Sequence, residues 1–110
     1  MSTPEVLQVS LTEYTFQPGD RVKFVTETGG VYYVDIAPSK ERGIEVTLRY
    51  QRGGQTDPEG GYITRQRATI ISGDIPYAIA VGVPADVICS EEAFQTQPVV
   101  NIEMINSQAI

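Results

Sequence analysis

An all-β fold, a single antiparallel β-sandwich, is what this chain of 110 residues predicts. Three observations carry the prediction. Apolar and polar residues alternate with period two along most of the apolar segments. Turns bearing glycine and proline interrupt the chain at short intervals. No stretch has the spacing of a long amphipathic helix, and there is no internal repeat or low-complexity tract. About seven to eight short strands punctuated in this way make a sandwich, with a small Greek-key or SH3-like barrel carrying additions as the alternative.

The first strand is expected over residues 6–11. Pro18-Gly19-Asp20 follows, with proline at the second and glycine at the third position of a type II turn. Residues 21–26 then alternate, placing Val22 and Phe24 inward and Arg21 and Lys23 outward. Gly29-Gly30 separates them from residues 31–37, the hairpin partner. The clearest pattern covers residues 44–50, where Ile44, Val46, Leu48 and Tyr50 share a face opposite Glu45, Thr47, Arg49 and Gln51. Further strands are expected over 62–72, 75–82 and 99–105, the last with Val100, Ile102 and Met104 on one face. One helical turn is expected at 90–94, with Ser90 as N-cap and Glu91 and Glu92 near the positive end of its dipole.

A hydrophobic fraction of 41% and a charged fraction of 20% belong to a globular chain. The length suits one core and not two, so residues 1–110 are read as a single domain. The chain has no histidine and one cysteine, Cys89. That removes imidazole metal sites and Ser-His or Cys-His nucleophile pairs from a single copy, and no cofactor or metal site is expected. Cys89 stands among Asp86, Glu91 and Glu92 with no nearby base, which reads as an inert buried thiol. The longest uncharged apolar stretch, residues 75–85, holds two prolines and is too short to span a bilayer. No signal peptide is read at the start, and the lone cysteine favours a reducing compartment or a virion.

Charge is unevenly placed. The net charge is −6, yet all eight basic residues lie between Arg21 and Arg67, against six acids, a local balance of +2. Residues 68–110 have no lysine or arginine and five acids. Such a molecule is suited to stacking head to tail or to sitting on a basic partner, while net acidity argues against binding nucleic acid phosphates.

Three segments stand out as candidates for binding. Residues 52–61 form a glycine-rich loop, with Gly53, Gly54 and Gly60 and no apolar side chain apart from the flanks. Its Asp57 and Glu59 fall short of a calcium shell, and its glycines fit neither phosphate-binding spacing. Beside it, Arg49, Arg65 and Arg67 form a basic stripe if register brings them to one face. The third is Ile75-Pro-Tyr-Ala-Ile-Ala-Val-Gly-Val83, with Tyr77, Ile79 and Val81 on one face and Ala78 and Ala80 on the other. Neither face carries charge, so the strand needs cover on both sides, from another subunit or from residues 84–98.

The nine residues Phe16-Gln-Pro-Gly-Asp-Arg-Val-Lys-Phe24 resemble the turn-to-strand opening of cupredoxins and of many SH3-like barrels. A cupredoxin copper centre needs histidine, so the resemblance implies no copper function here. The reading that remains is a non-enzymatic structural or assembly domain that packs against copies of itself or a larger partner. A virion or phage accessory protein of the capsid-cementing or head–tail kind is an example. The alternative is a monomeric module recognising a peptide, carbohydrate or nucleic acid through the 52–61 loop and its basic flank. An enzyme built on a carboxylate pair is the third.

Overall fold

The computed structural model describes residues 10–51 and 62–105. The described residues contain no helix and eleven strands. These are β1 (Ser10–Leu11), β2 (Glu13–Thr15), β3 (Arg21–Thr26), β4 (Val31–Ser39), β5 (Gly43–Tyr50), β6 (Ile63–Gln66), β7 (Thr69–Ser72), β8 (Ile75–Pro76), β9 (Ala78–Ala80), β10 (Pro84–Ile88) and β11 (Ala93–Met104). Nine of them form one antiparallel network in the order β6-β5-β4-β3-β11-β10-β7-β8, with β1 also on β11, and β2 pairs β9 separately. The molecule is a small antiparallel β-sandwich, as the alternation predicts.

Two layers face each other across the core. The first is β3 to β6 with the C-terminal half of β11 and β1, and the second is β7, β8 and β10 with the N-terminal half of β11. β11 belongs to both, and it turns from one layer to the other where its pairing shifts between Val99 and Asn101. A bulge at that point supplies the bend that a strand needs to change layers. The opposite side is stitched as well. β6 and β7 are consecutive in the chain, and the amide of Ala68 between them donates to the Val46 carbonyl on β5 at 3.0 Å. Residues 62–72, expected as one strand, are therefore two. The break is Arg67, whose φ of 57° lies in the left-handed region.

Register explains the core. On the inner face of the first layer Leu11, Ile102, Phe24, Tyr32, Tyr50 and Ile63 are successive cross-strand partners. The rings of Phe24 and Tyr32 stack at 4.9 Å, those of Tyr32 and Tyr50 at 5.5 Å, and Tyr50 meets Phe94 of β11 at 5.3 Å. A second row, Val22, Val34 and Leu48, is fully buried beside it. Ile70, Ala85 and Val87 close the core from the second layer. Burial of side chains of this size is the main stabilising term of such a domain.

The expected turn over residues 17–20 is present: the Asp20 amide donates to the Gln17 carbonyl at 3.2 Å, and Gly19 has a φ of 94°. Glycine accepts that φ without a side-chain clash, as the third position of a type II turn demands. The helical turn expected at 90–94 is not formed. The Cys89 amide donates to the Glu92 carbonyl at 2.9 Å, and Ile88 pairs with Ala93, so Ser90 and Glu91 are the tip of a tight hairpin joining β10 to β11. Residues 84–98, one of the two covers expected for the 75–83 run, are thus parts of two strands of the sandwich itself. Of the strand expected over 6–11, only β1 lies within the described residues.

The β2–β9 ribbon lies against β7 and β11 at one end of the sandwich. Ile79 of the ribbon and Phe16, which follows β2, are buried in the core. The Tyr14 hydroxyl donates to the Asp20 carboxylate and accepts from the Gln17 amide at 3.1 Å, which ties the ribbon to the 17–20 turn.

Candidate functional site

The uncharged run of residues 75–83 is not one alternating strand. Tyr77 takes a φ of 55°, and this left-handed residue resets the alternation. Ala78 and Ile79 are consequently both buried, at 7% and 1% exposure, instead of facing opposite ways. Their cover comes from β2 and the core, so neither side chain is offered to a partner by the folded chain. Tyr77 and Ala80 are half-buried, and Val81 is exposed beside Val99, to which it is bridged on β11. Val100, the next residue of β11, is exposed too.

The basic stripe is divided among three settings. Arg65 is the cross-strand partner of Leu48, so it points toward the inner side. Its Nε donates to Glu92 at 2.8 Å, and the Tyr50 hydroxyl donates to the same carboxylate. That hydrogen bond holds the Arg65 guanidinium more firmly in its charged form. The three residues pin the first layer to the β10–β11 hairpin. Glu92 went unread in this role because its partners are distant in sequence.

Arg49 faces outward. Its guanidinium lies 5.8 Å from the Tyr33 ring centre and 6.0 Å from that of Tyr62, and the two rings meet edge to face at 5.9 Å. This is cation–π geometry, and it gathers on one surface the two residue types that most often anchor protein interfaces. The pair Tyr32-Tyr33 carried the signal: adjacent tyrosines on a strand point one inward and one outward. Arg67 stands apart at the β6–β7 break. Gly53, Gly54 and Gly60 lie outside the described residues.

The outer surface of the second layer differs in kind. Ile88 is exposed at 47% and Ile71 is partly exposed near it, while Ile75, exposed on the edge strand β8, pairs with the buried Ser72 and so points to the inner side, as Phe94 does opposite Val87. A shallow depression of about 400 Å³ runs between Ile71, Ile88, Ala93, Phe94 and Asp86. The Asp86 carboxylate accepts from the Gln95 side-chain amide at 2.9 Å. This surface is apolar with a carboxylate edge, and residues 68–104 supply no lysine or arginine to it.

No group of three or more metal-ligating side chains is gathered among the described residues, and no helix among them is long and apolar enough to cross a membrane. Comparison with protein families, with curated proteins and with solved structures finds no match to this chain.

Proposed function

We propose that this chain is a non-enzymatic assembly domain whose copies stack head to tail, the second layer of one against the first layer of the next. The observation that carries this reading is the division of surface chemistry between the layers. Seven of the eight lysines and arginines are among the described residues, on β3 to β6 or beside them, while Ile71, Ile88 and Asp86 lie on the outer side of the second layer and Asp74 in its β7–β8 turn. One face offers Arg49, Tyr62 and Lys23, and the other offers the exposed Ile88 and the partly exposed Ile71 beside the Asp86 carboxylate. The Arg49 cluster of one face is opposite in charge to the Asp86 edge of the other, and a contact between unlike faces of identical subunits propagates. A capsid-cementing or head–tail accessory protein is the kind of setting such a domain fits.

The Arg49–Tyr33–Tyr62 cluster also favours a second reading, in which that face takes a peptide, carbohydrate or nucleic acid from another source. Charge exchange separates the two. Self-association is expected to grow with concentration and weaken with salt. The double variants Asp74→Lys/Asp86→Lys and Lys23→Glu/Arg49→Glu should each lose it alone and regain it when mixed, since each then presents a face complementary to the other. Sedimentation measures this directly. A wild-type monomer at every concentration in low salt, or mixing that restores nothing, overturns the reading and moves the cluster to a foreign partner.

A further inference from the structure

Among the described residues, the guanidiniums of two arginines take no part in the fold. Arg21 is paired with Asp35, Arg65 with Glu92, and Arg49 lies over two tyrosine rings. The guanidiniums of Arg42 and Arg67 make no ion pair or ring contact among the described residues. Both line one cleft of about 520 Å³ between the β4–β5 turn, the β6–β7 break and the β10–β11 hairpin. Gln66, Thr69 and Ser90 add an amide and two hydroxyls to its wall.

Arg67 is also the residue held at a φ of 57°. The backbone there favours glycine or asparagine, and a long cationic side chain occupies it instead. The left-handed turn takes the chain from β6 into β7 and leaves the Arg67 side chain on the cleft wall. Strain at a residue whose charged group the fold does not use is a reason to look for a ligand.

We infer that this cleft binds a phosphate group. Each guanidinium presents a fork of donors matched to two oxygens of an oxyanion, and two forks with the Thr69 hydroxyl and the Gln66 amide beside them suit a tetrahedral dianion. The opposing charge on the wall is Glu91, whose carboxylate accepts from the Ser90 hydroxyl at 3.3 Å. Cys89 also lines the cleft, but its thiol is engaged with the Glu92 carbonyl at 3.3 Å. The inference does not rest on head-to-tail stacking, because a phosphate site of this size serves a single copy.

The test is a titration of the full chain with inorganic phosphate, against chloride at matched ionic strength, followed by the backbone amide resonances of residues 66–69 and 89–91. Saturable shifts in both segments with a Kd of about 1 mM are expected for an open site with a few charge-assisted contacts. Arg67→Gly, which relieves the left-handed strain and keeps the fold, should weaken binding about tenfold or more, and Arg42→Gln should do the same. Glu91→Gln should tighten it, because a repulsive charge is removed. Unsaturable shifts matched by chloride show ionic screening alone and overturn the site. So does an Arg67→Gly protein that binds as wild type, or a Glu91→Gln protein that binds less. Binding of a short single-stranded oligonucleotide much tighter than phosphate, with shifts spreading to the Tyr33 and Tyr62 face, would replace the small-ligand reading with a polymer one.

Discussion

The two layers enclose the same core but differ in how much of their work they do alone. The first is made of longer strands in regular alternation, with Phe24, Tyr32 and Tyr50 stacked on its inner side and charged or polar residues on most of its outer side. The second is made of short strands, one of them only Ile75–Pro76, with smaller inner residues such as Ala85 and with Ile71 and the exposed Ile88 outside. The chain leaves regular strand geometry at Arg67 on entering the second layer and again at Tyr77 on leaving it for the ribbon, each time without glycine. A layer with a wet outer face is finished; a layer with an apolar outer face is suited to being covered.

The comparison breaks hardest in the core. Phe24 is fully buried and sits at the centre of the aromatic row, so Phe24→Ala should cost about 3–5 kcal/mol, a large part of the stability of a small domain. Ile70→Val, at an equally buried position of the second layer, should cost only about 0.5–1.5 kcal/mol. Urea unfolding of the two variants gives the contrast. Equal losses would show that the aromatic row contributes no more than an ordinary packed side chain.

Alkaline pH acts on tyrosines of both the first layer and the ribbon. Tyr14 is pushed well above the ordinary tyrosine range by burial and by its hydrogen bond to Asp20, and Tyr32 is raised by burial. The folded chain therefore keeps these protons after the unfolded chain has begun to lose them. Their contribution is complete below about pH 10, the unfolded tyrosine value, and is lost as pH rises through the folded values. Denaturant midpoints should stay level toward that pH and fall beyond it. Tyr14→Phe and Tyr32→Phe should each flatten the fall, and tyrosinate absorbance should show two late-titrating groups.

Smaller effects sharpen the joints between elements. Tyr50→Phe removes the hydroxyl that ties the first layer to Glu92 and should cost about 0.5–1.5 kcal/mol. Ala80→Glu sets a carboxylate opposite Glu13 in the β2–β9 ribbon, a like-charge pair worth about 0.2–1 kcal/mol of destabilisation. It tests the ribbon, because Ala80 pairs within its own chain. A melting temperature unchanged by Ala80→Glu would show that the ribbon contributes nothing to global stability.

The same contrast decides what was legible in the sequence. β3, β4 and β5 could be read within a residue or two because one face is buried and the other wet, which is what alternation records. The second layer hid itself. In β10, Ala85 and Val87 alternate with Asp86 and Ile88, but the run is only five residues long, opens on Pro84 and is followed by the Ser90-Glu91-Glu92 cluster, which has the pattern of a helix start. Glu92 is held instead by Tyr50 and Arg65, partners no local pattern reveals. The uncharged run was read as needing cover, and it has cover at Ala78 and Ile79, yet Tyr77 decided which side chains received it. A left-handed tyrosine carries no sequence mark. The Arg49 cluster is half legible: the arginine stands out in the sequence, but its rings come from the neighbouring strand β4 and from Tyr62, the residue before β6.

The smallest change in folding should carry the largest consequence for assembly. Ile88 is exposed at 47% on the outer side of β10, so Ile88→Ser removes little buried area and should change stability by less than about 0.5 kcal/mol. If the second layer is docked by the first layer of another copy, the same substitution takes an apolar anchor from the centre of the contact. Truncation of such an anchor costs about 2 kcal/mol or more of binding, near thirtyfold in affinity. Val100→Ser, on the exposed rim where β11 changes layers, is the matched control and should leave association nearly intact. Sedimentation of the two variants beside the wild type reads the difference. Equal, full association of Ile88→Ser and Val100→Ser would show that the apolar surface of the second layer is not what holds copies together.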